Sequence, residues 1–358
     1  MANKYAKGFY TLMSEAGILS SKSFGLYIND VVGFNDIQKL DLDGFTWDEY
    51  SSLTFDFKDL VMSNRVKVMA TYTDKDSEAI PFGTEGFTET SGVVPTMKAR
   101  FIWDSDDYRK YLDAVRNLDF QNKTAKQYAL DLLFNGIKDI QSAHELSMTY
   151  QRDQIVSGRE LSLDANNNPR GIKGLVFKSA VPEANVTTVA KAKRWFNNAT
   201  DKNATTANAD ADPVGDMKAV VRAMKRKGYM DIVVEADYIS FLEDMDHPKW
   251  RTAMGYQMRP DLVLGTSNDA NALAVGNAAG DDELVALFAK IIGVPAANVH
   301  LRKGLAGVEV LEGKGPDAKL VRKTQRTFKA NTYVFYPAGP IGTIKSTLAL
   351  TPDDSFIY

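Results

Sequence analysis

The chain has 358 residues, of which 44% are hydrophobic and 25% charged, and a formal net charge of −3. That is enough apolar material for a sizeable core and argues against global disorder, while the lack of a basic excess takes weight from sequence-specific nucleic-acid binding. The absence of cysteine excludes disulfides, thiolate nucleophiles and zinc–thiolate sites.

The opening MANKYAKGFYTLMSEAG has no apolar core of signal-peptide length. No later run approaches the roughly 20 apolar residues that span a bilayer. The expectation is a chain made in a reducing cytoplasm, with no membrane partner.

Residues 1–60 are weakly periodic and read as an extended arm, with DLDGFTWDEY (41–50) as a turn followed by a short amphipathic piece. Further on, Val66, Val68, Ala70 and Tyr72 alternate with Arg65, Lys67 and Thr71, and Met97, Ala99, Phe101 and Trp103 alternate with Lys98, Arg100 and Ile102. Each run predicts a strand with one buried face. The Gly-, Thr- and acid-rich segment between them is far longer than a hairpin loop of two to five residues. It reads as a projecting loop whose Ile80, Phe82 and Phe87 need a partner surface.

The longest helical signal is 124–158, where Leu130, Leu133, Ile137, Ile140, His144, Met148 and Ile155 share one face and Gly158 is a stop. The stretch RELSLDANNNPRGIKGLVF (159–177) then predicts a hairpin with Asn/Pro/Gly turn chemistry. Residues 197–212 are polar and low in complexity, and read as a mobile loop. Asp212 as cap, Pro213 at the first position, a basic last turn at Lys225, Arg226 and Lys227, and Gly228 as stop mark the next helix. DIVVEA then reads as a buried strand, DYISFLEDM and DDELVALFAKIIG as helices, and NVHLRK and GVEVLEG as strands. That alternation makes 212 to about 325 an α/β-like module. The chain ends in β, with NTYVFY and TIKSTLAL separated by PAGPIG.

Motifs for chemistry are scarce. His144, His247 and His300 are far apart and none lies in an H-E-x-x-H frame. DANNNPRGIKGL begins like a calcium loop, but its sixth position is Pro169 and its twelfth Leu175, where Gly and a bidentate Glu are required. GPIGTIKS lacks the phosphate-loop spacing, and GKGPDAK reads as a hairpin turn. The acidic clusters at 41–43, 104–107, 210–212 and 243–246 fall at turns and helix starts, where capping and the helix dipole favour acids. No catalytic residue, cofactor or metal site is expected, and the chain is not expected to be an enzyme. A metal-dependent enzyme using an acidic cluster such as DSDD stays open as a lesser alternative.

Three stretches carry a resemblance: AIPFGTEGFTETSG followed by TMKARFIWDSDDY, then PVGDMKAVVRAMKRKGYMDIVVEADYISFLEDM, then TFKANTYVFYPAGPIGTIKSTLAL. Their order resembles the major capsid proteins of tailed bacteriophages, the Hong Kong 97-like fold, and among them the lambda-type major head proteins. The resemblance implies an α+β chain. Its parts would be an N-terminal arm (1–60), an extended loop hairpin (61–112), a peripheral domain with a spine helix (113–209, helix 122–158), an axial domain (210–325) and a return to the peripheral domain (326–358). It implies a protein that self-assembles as hexamers and pentamers into an icosahedral shell around double-stranded DNA, made in the bacterial cytoplasm and ending in the virion. A separate scaffolding protein, a portal, a possible decoration protein and non-specific contact with packaged DNA would be the other partners. Ile80, Phe82, Glu85 and Phe87 would contact a neighbouring subunit, Gly83, Gly86 and Gly92 would be hinges, and Pro337, Gly339, Pro340 and Gly342 would form the peripheral-domain corner. NTYVFY would be a strand buried on both faces, with TIKSTLAL paired beside it. A cellular encapsulin-like nanocompartment shell is the alternative of the same architecture.

Overall fold

A computed structural model describes residues 40–48, 56–61, 88–93, 109, 142–169, 171–179, 181–198, 200–264, 268–312, 319–345, 349–350 and 356–357. The chain is mixed α+β and divides into two compact units, Met1–Asp43 with Pro95–Thr149, and Gly44–Val94 with Tyr150–Tyr358. In the first unit the described residues include a buried Leu42 and helical turns in which Ser147 and Thr149 donate back to the carbonyls of Ala143 and Glu145.

The second unit holds the α/β module. Its central sheet has the order β10–β6–β7, formed by β6 (Ile232–Asp237), β7 (Val299–Arg302) and β10 (Tyr333–Pro337). Strand β7 runs parallel to β6 and β10 antiparallel. All six residues of β6 are buried, as its near-continuous apolar run requires of a strand covered on both faces.

Between β6 and β7 the chain runs through α3 (Tyr238–Met245), α4 (Pro248–Met258), α5 (Asp269–Asn277) and α6 (Asp281–Ile292); α2 (Pro213–Arg226) precedes β6. Asp212 caps α2 by accepting from the Gly215 amide, and Asp237 caps α3 by accepting from that of Ser240. Left-handed Gly293 (φ 80°) ends α6, a conformation glycine adopts without a Cβ penalty. The apolar faces of these helices close on the sheet, with Phe241, Met245, Trp250, Met254, Leu284 and Phe288 fully buried. Each such side chain contributes about 1.5–3 kcal/mol of burial.

Helices α4 and α5 meet backbone to backbone. A Cβ on Gly255 would lie 1.8 Å from the Ala272 carbonyl oxygen, and one on Gly276 1.8 Å from that of Arg251.

The expected hairpin after the long helix forms as β4 (Glu160–Ser162) against β5 (Val176–Lys178). The helix that precedes it, α1, is described over 142–158. A second ribbon pairs β8 (Leu305–Glu312) with β9 (Lys319–Arg326), so the strands on either side of GKGPDAK pair as expected.

Four expectations need correction. Among the described residues strand β10 lies at the edge of its sheet, with Tyr336 its one buried residue; the doubly covered strand is β6. Among the described residues, the segment after PAGPIG is not paired with β10: β11 (Gly342–Ile344) pairs in parallel with β1 (Phe45–Trp47). Strand β2 (Asp56–Val61) pairs with β3 (Thr88–Val93), within stretches read as arm and as projecting loop; the alternating runs at 65–72 and 97–103 lie outside the described residues. Finally, the described residues of 197–211 are stitched rather than loose. The Asn203 side chain accepts from the amides of Thr205 and Thr206, Asn208 donates to the carbonyls of Ala192 and Arg194, and Phe196 bridges to Ala207. Asn, Asp and Thr here supply turn bonds to the backbone instead of solvating it.

Candidate functional site

A carboxylate in the middle of the buried strand organises the second unit. Glu235 is 0% exposed, and a carboxylate so placed must be paired and hydrogen-bonded. Arg152, on α1, supplies a fork: Nη1 donates to Oε2 at 2.6 Å and Nη2 to Oε1 at 2.5 Å. Arg302, on β7, donates through Nη2 at 2.6 Å, and the Tyr336 hydroxyl, on β10, donates at 2.5 Å. Asp153 accepts a further bond from Arg152 at 3.0 Å, and the Arg152 guanidinium stands 6.0 Å over the Phe45 ring of β1. A bidentate arginine matches carboxylate geometry as lysine does not.

The electrostatics follow from that geometry. Burial pushes the Glu235 carboxyl upward, but the bonds and charges of Arg152 and Arg302 outweigh it and hold the group below its ordinary range. Burial alone lowers Arg152, yet Glu235 and Asp153 raise it above its usual value. Tyr336 is raised by burial and then by the adjacent carboxylate. Three donors converge on Oε1 and one on Oε2, so the ionised carboxylate is held by three separate elements at once. The arrangement is a joint between helix and sheet.

The return chain is fastened beside this joint. Gln154 donates to the Thr327 carbonyl at 2.7 Å, and the Lys329 amide donates to Ser157 Oγ at 3.0 Å. Arg326 pairs with Asp237 at 3.0 Å, and the Asn331 amide donates to Ser240 Oγ at 3.1 Å.

A second polar cluster lies under the 197–211 loop. Lys202 Nζ reaches Asp244 Oδ1 at 2.6 Å, with their side chains 6% and 5% exposed, and Glu243 Oε2 lies 3.8 Å from the same nitrogen. The Tyr333 hydroxyl donates to Asp244 Oδ2 at 2.9 Å. Next along the chain, buried His247 caps α4 by accepting from the Lys249 amide through Nδ1, and its ring meets Phe196 edge-on at 5.4 Å. Burial lowers the His247 pKa.

The residues expected to form a corner lie within the described chain. Pro337 closes β10, Gly339 takes φ 126°, and the Ile341 amide donates to the Gly44 carbonyl at 2.6 Å. A Cβ on Gly342 would stand 2.5 Å from the Phe45 ring, which explains glycine at this crossing. Gly92, expected as a hinge, lies in β3 opposite Phe57. Ile80, Phe82, Gly83, Glu85, Gly86 and Phe87 lie outside the described residues.

Nothing in the sequence marks Arg152, Glu235, Arg302, Tyr336 or Lys202 individually; Asp244 belongs to the acidic cluster 243–246, which the structure places at the end of α3, with Asp244 buried against Lys202. One signal was present: a glutamate inside DIVVEAD must find cations if that run is a buried strand. Nothing local says which cations.

Neither a scan against protein-family profiles nor a search of curated proteins finds a match to this chain.

Proposed function

We propose that the chain is a major capsid protein of the tailed-bacteriophage kind, with a Hong Kong 97-like fold, that self-assembles into an icosahedral shell around double-stranded DNA. One observation carries the reading. The end of a helix, an α/β module and a C-terminal return strand, widely separated in sequence, are fixed to one another at Glu235 by Arg152, Arg302 and Tyr336. The most prominent polar cluster of the module thus works as a frame joint, which suits a protein that acts by geometry.

On this reading a rigid body presents the 76–92 segment to a neighbouring copy, where Ile80, Phe82 and Phe87 supply apolar contact and Glu85 a charge. Gly83, Gly86 and Gly92 let identical chains fit both hexamers and pentamers. Each contact is modest, and closure of the lattice adds them together. The corner at Pro337, Gly339, Pro340 and Gly342 holds the return chain in place. Scaffolding, portal and decoration proteins, and non-specific contact with DNA, belong to the same reading.

The test is electron microscopy of purified protein in negative stain. The intact chain forms closed shells, and a variant lacking residues 76–92 stays soluble, keeps its far-ultraviolet circular dichroism and forms none. An intact chain that stays monomeric at high concentration, or a deletion variant that still closes shells, overturns the proposal.

A further inference from the structure

The α/β module carries unpaired charge of opposite sign at its two ends. Helix α2 leads into β6 and α6 into β7 through short connections. Those strands are parallel, so the two helices point the same way. Lys225 Nζ, in the last turn of α2, donates at 2.7 Å to the carbonyl of Gly293, which closes α6. Their C-terminal ends therefore lie side by side. Arg222, Arg226, Lys227 and Lys290 are exposed toward that end, and among the described residues none of them forms an ion pair. Asp231, in the connection to β6, is held by Asn298 Nδ2 at 2.5 Å. Met230, beside it, is 73% exposed.

The other end of α6 is acidic. Asp281, Asp282 and Glu283 are all exposed and, among the described residues, likewise without an ion pair. The helix has 12 residues, which separates these acids from the basic end by about 18 Å. The surface beside them is open, since a Cβ on Gly280 would meet nothing within 4 Å. A helix end carries only about half a unit charge. The dipoles account for the signs of these patches but not for how much charge each leaves unpaired. We propose that the basic end of the α2–α6 pair docks on the acidic first turn of α6 in a second copy of the chain.

Arg222 and Arg226 lie four residues apart and so share one face of α2. Their guanidinium forks match carboxylate geometry. Met230 supplies an apolar contact for the exposed surface at Ala278 and Gly280. Like ends repel, so each contact joins a basic end to an acidic one. Such a contact is heterologous and leaves every copy with one patch still to fill. It repeats into a ring where the rotation closes and into a filament where it does not. A nucleic-acid backbone would fit the basic end alone, and the net charge of −3 and the acidic end weigh against it. The inference goes beyond the shell reading and makes no use of the 76–92 segment.

Sedimentation velocity of the full-length chain, before and after nuclease treatment, tests it. The wild-type chain associates, and does so less as salt rises, because exposed charges are screened. Arg222→Glu/Arg226→Glu and Asp281→Lys/Asp282→Lys each weaken association, on the order of a hundredfold, and keep the wild-type far-ultraviolet circular dichroism. The first variant has two acidic ends and the second two basic ends. An equimolar mixture of the two therefore recovers an association that neither shows alone, which misfolded chains could not do. Arg222→Gln/Arg226→Gln, which only removes charge, falls between wild type and the reversed variants. A monomeric wild-type chain, reversed variants that associate like wild type, or a mixture that stays monomeric overturns the proposal. So does wild-type association that vanishes with nuclease, because the basic end would then hold nucleic acid. The shell reading fails separately: association without closed shells leaves this contact standing, and closed shells built by the reversed variants refute this contact alone.

Discussion

Replacing Arg152 by Met keeps much of the side-chain volume and removes the guanidinium. The Arg152 and Glu235 side chains are 3% and 0% exposed, so solvent does not screen the loss. Glu235 would lose two of its four donors, and Asp153 would lose its bond to Arg152. Breaking a buried pair by removing one partner costs about 3–5 kcal/mol. Arg302 and Tyr336 remain on the carboxylate, which places the expected loss near the lower end, about 3 kcal/mol. Urea denaturation followed by tryptophan fluorescence reads this as a lower midpoint at unchanged slope. Glu235→Gln should also destabilise, by leaving two cations facing a neutral amide. The double variant Arg152→Met/Glu235→Gln should lose less than the sum of the single losses, since each single change already breaks the same contact. Arg259, which pairs with Asp261 where both side chains are 58% exposed, is the control, and Arg259→Met should produce no measurable change. An Arg152→Met chain within about 1 kcal/mol of wild type, or strictly additive losses, would show that the joint at Glu235 is not what holds helix and sheet together.

The remaining predictions concern pH and close packing. His247 is buried neutral, with its folded pKa below the unfolded one. The unfolded chain therefore takes up the proton first as pH falls, and the stability tied to His247 is complete above about pH 6.5 and lost below it. His247→Asn keeps a capping acceptor and removes the titration, so the fall in Tm between pH 7 and pH 5 should be shallower than in wild type; equal slopes would refute the assignment. Glu235 follows the same sign at lower pH. Its folded pKa is depressed, so its contribution is complete above about pH 4.3 and is lost on further acidification, a loss that acid titration of Glu235→Gln should not show. Gly255→Ala drives a methyl into the Ala272 carbonyl and should cost at least about 1–3 kcal/mol. Gly280→Ala, where nothing lies within 4 Å of the new Cβ, should be close to neutral in the same melt.

What the sequence made legible was local. Helix α2 announced itself through Asp212, Pro213 and Gly228, helix α6 through its acidic first turn and Gly293, and the β4–β5 hairpin through its Asn/Pro/Gly turn. Helices α4 and α5 went unread because they carry no apolar stripe. PKWRTAMGYQM and DANALAVGN meet through glycine and alanine backbones, a contact that leaves no hydrophobic period to detect. The β1–β11 pairing was invisible for another reason. Its flanking ion pair, Lys345 to Asp48, spans 297 residues, and no window along the chain contains both ends. The Glu235 site is intermediate. The carboxylate was readable as an anomaly in a buried strand, whereas Arg152, 83 positions away, was hidden in a helix read only for its apolar face.

Why the joint is ionic can be argued from register. In the β10–β6 pair, Tyr336 lies opposite Val233 and Val334 opposite Glu235, so the tyrosine and the carboxylate are diagonal neighbours on one face. A slip of two residues would keep every apolar side chain on its own face, so hydrophobic burial by itself barely resists it. The same slip would carry the Tyr336 hydroxyl away from Glu235 and the Tyr333 hydroxyl away from Asp244, leaving both buried acids short of a donor at about 1–3 kcal/mol each or more. An apolar replacement of comparable volume could be equally stable or more so. It would lack a term that separates the native alignment from the slipped one. The polar joint thus contributes less to how firmly the return strand is held than to where it is held, and under the proposed shell function position is what each repeated subunit has to reproduce.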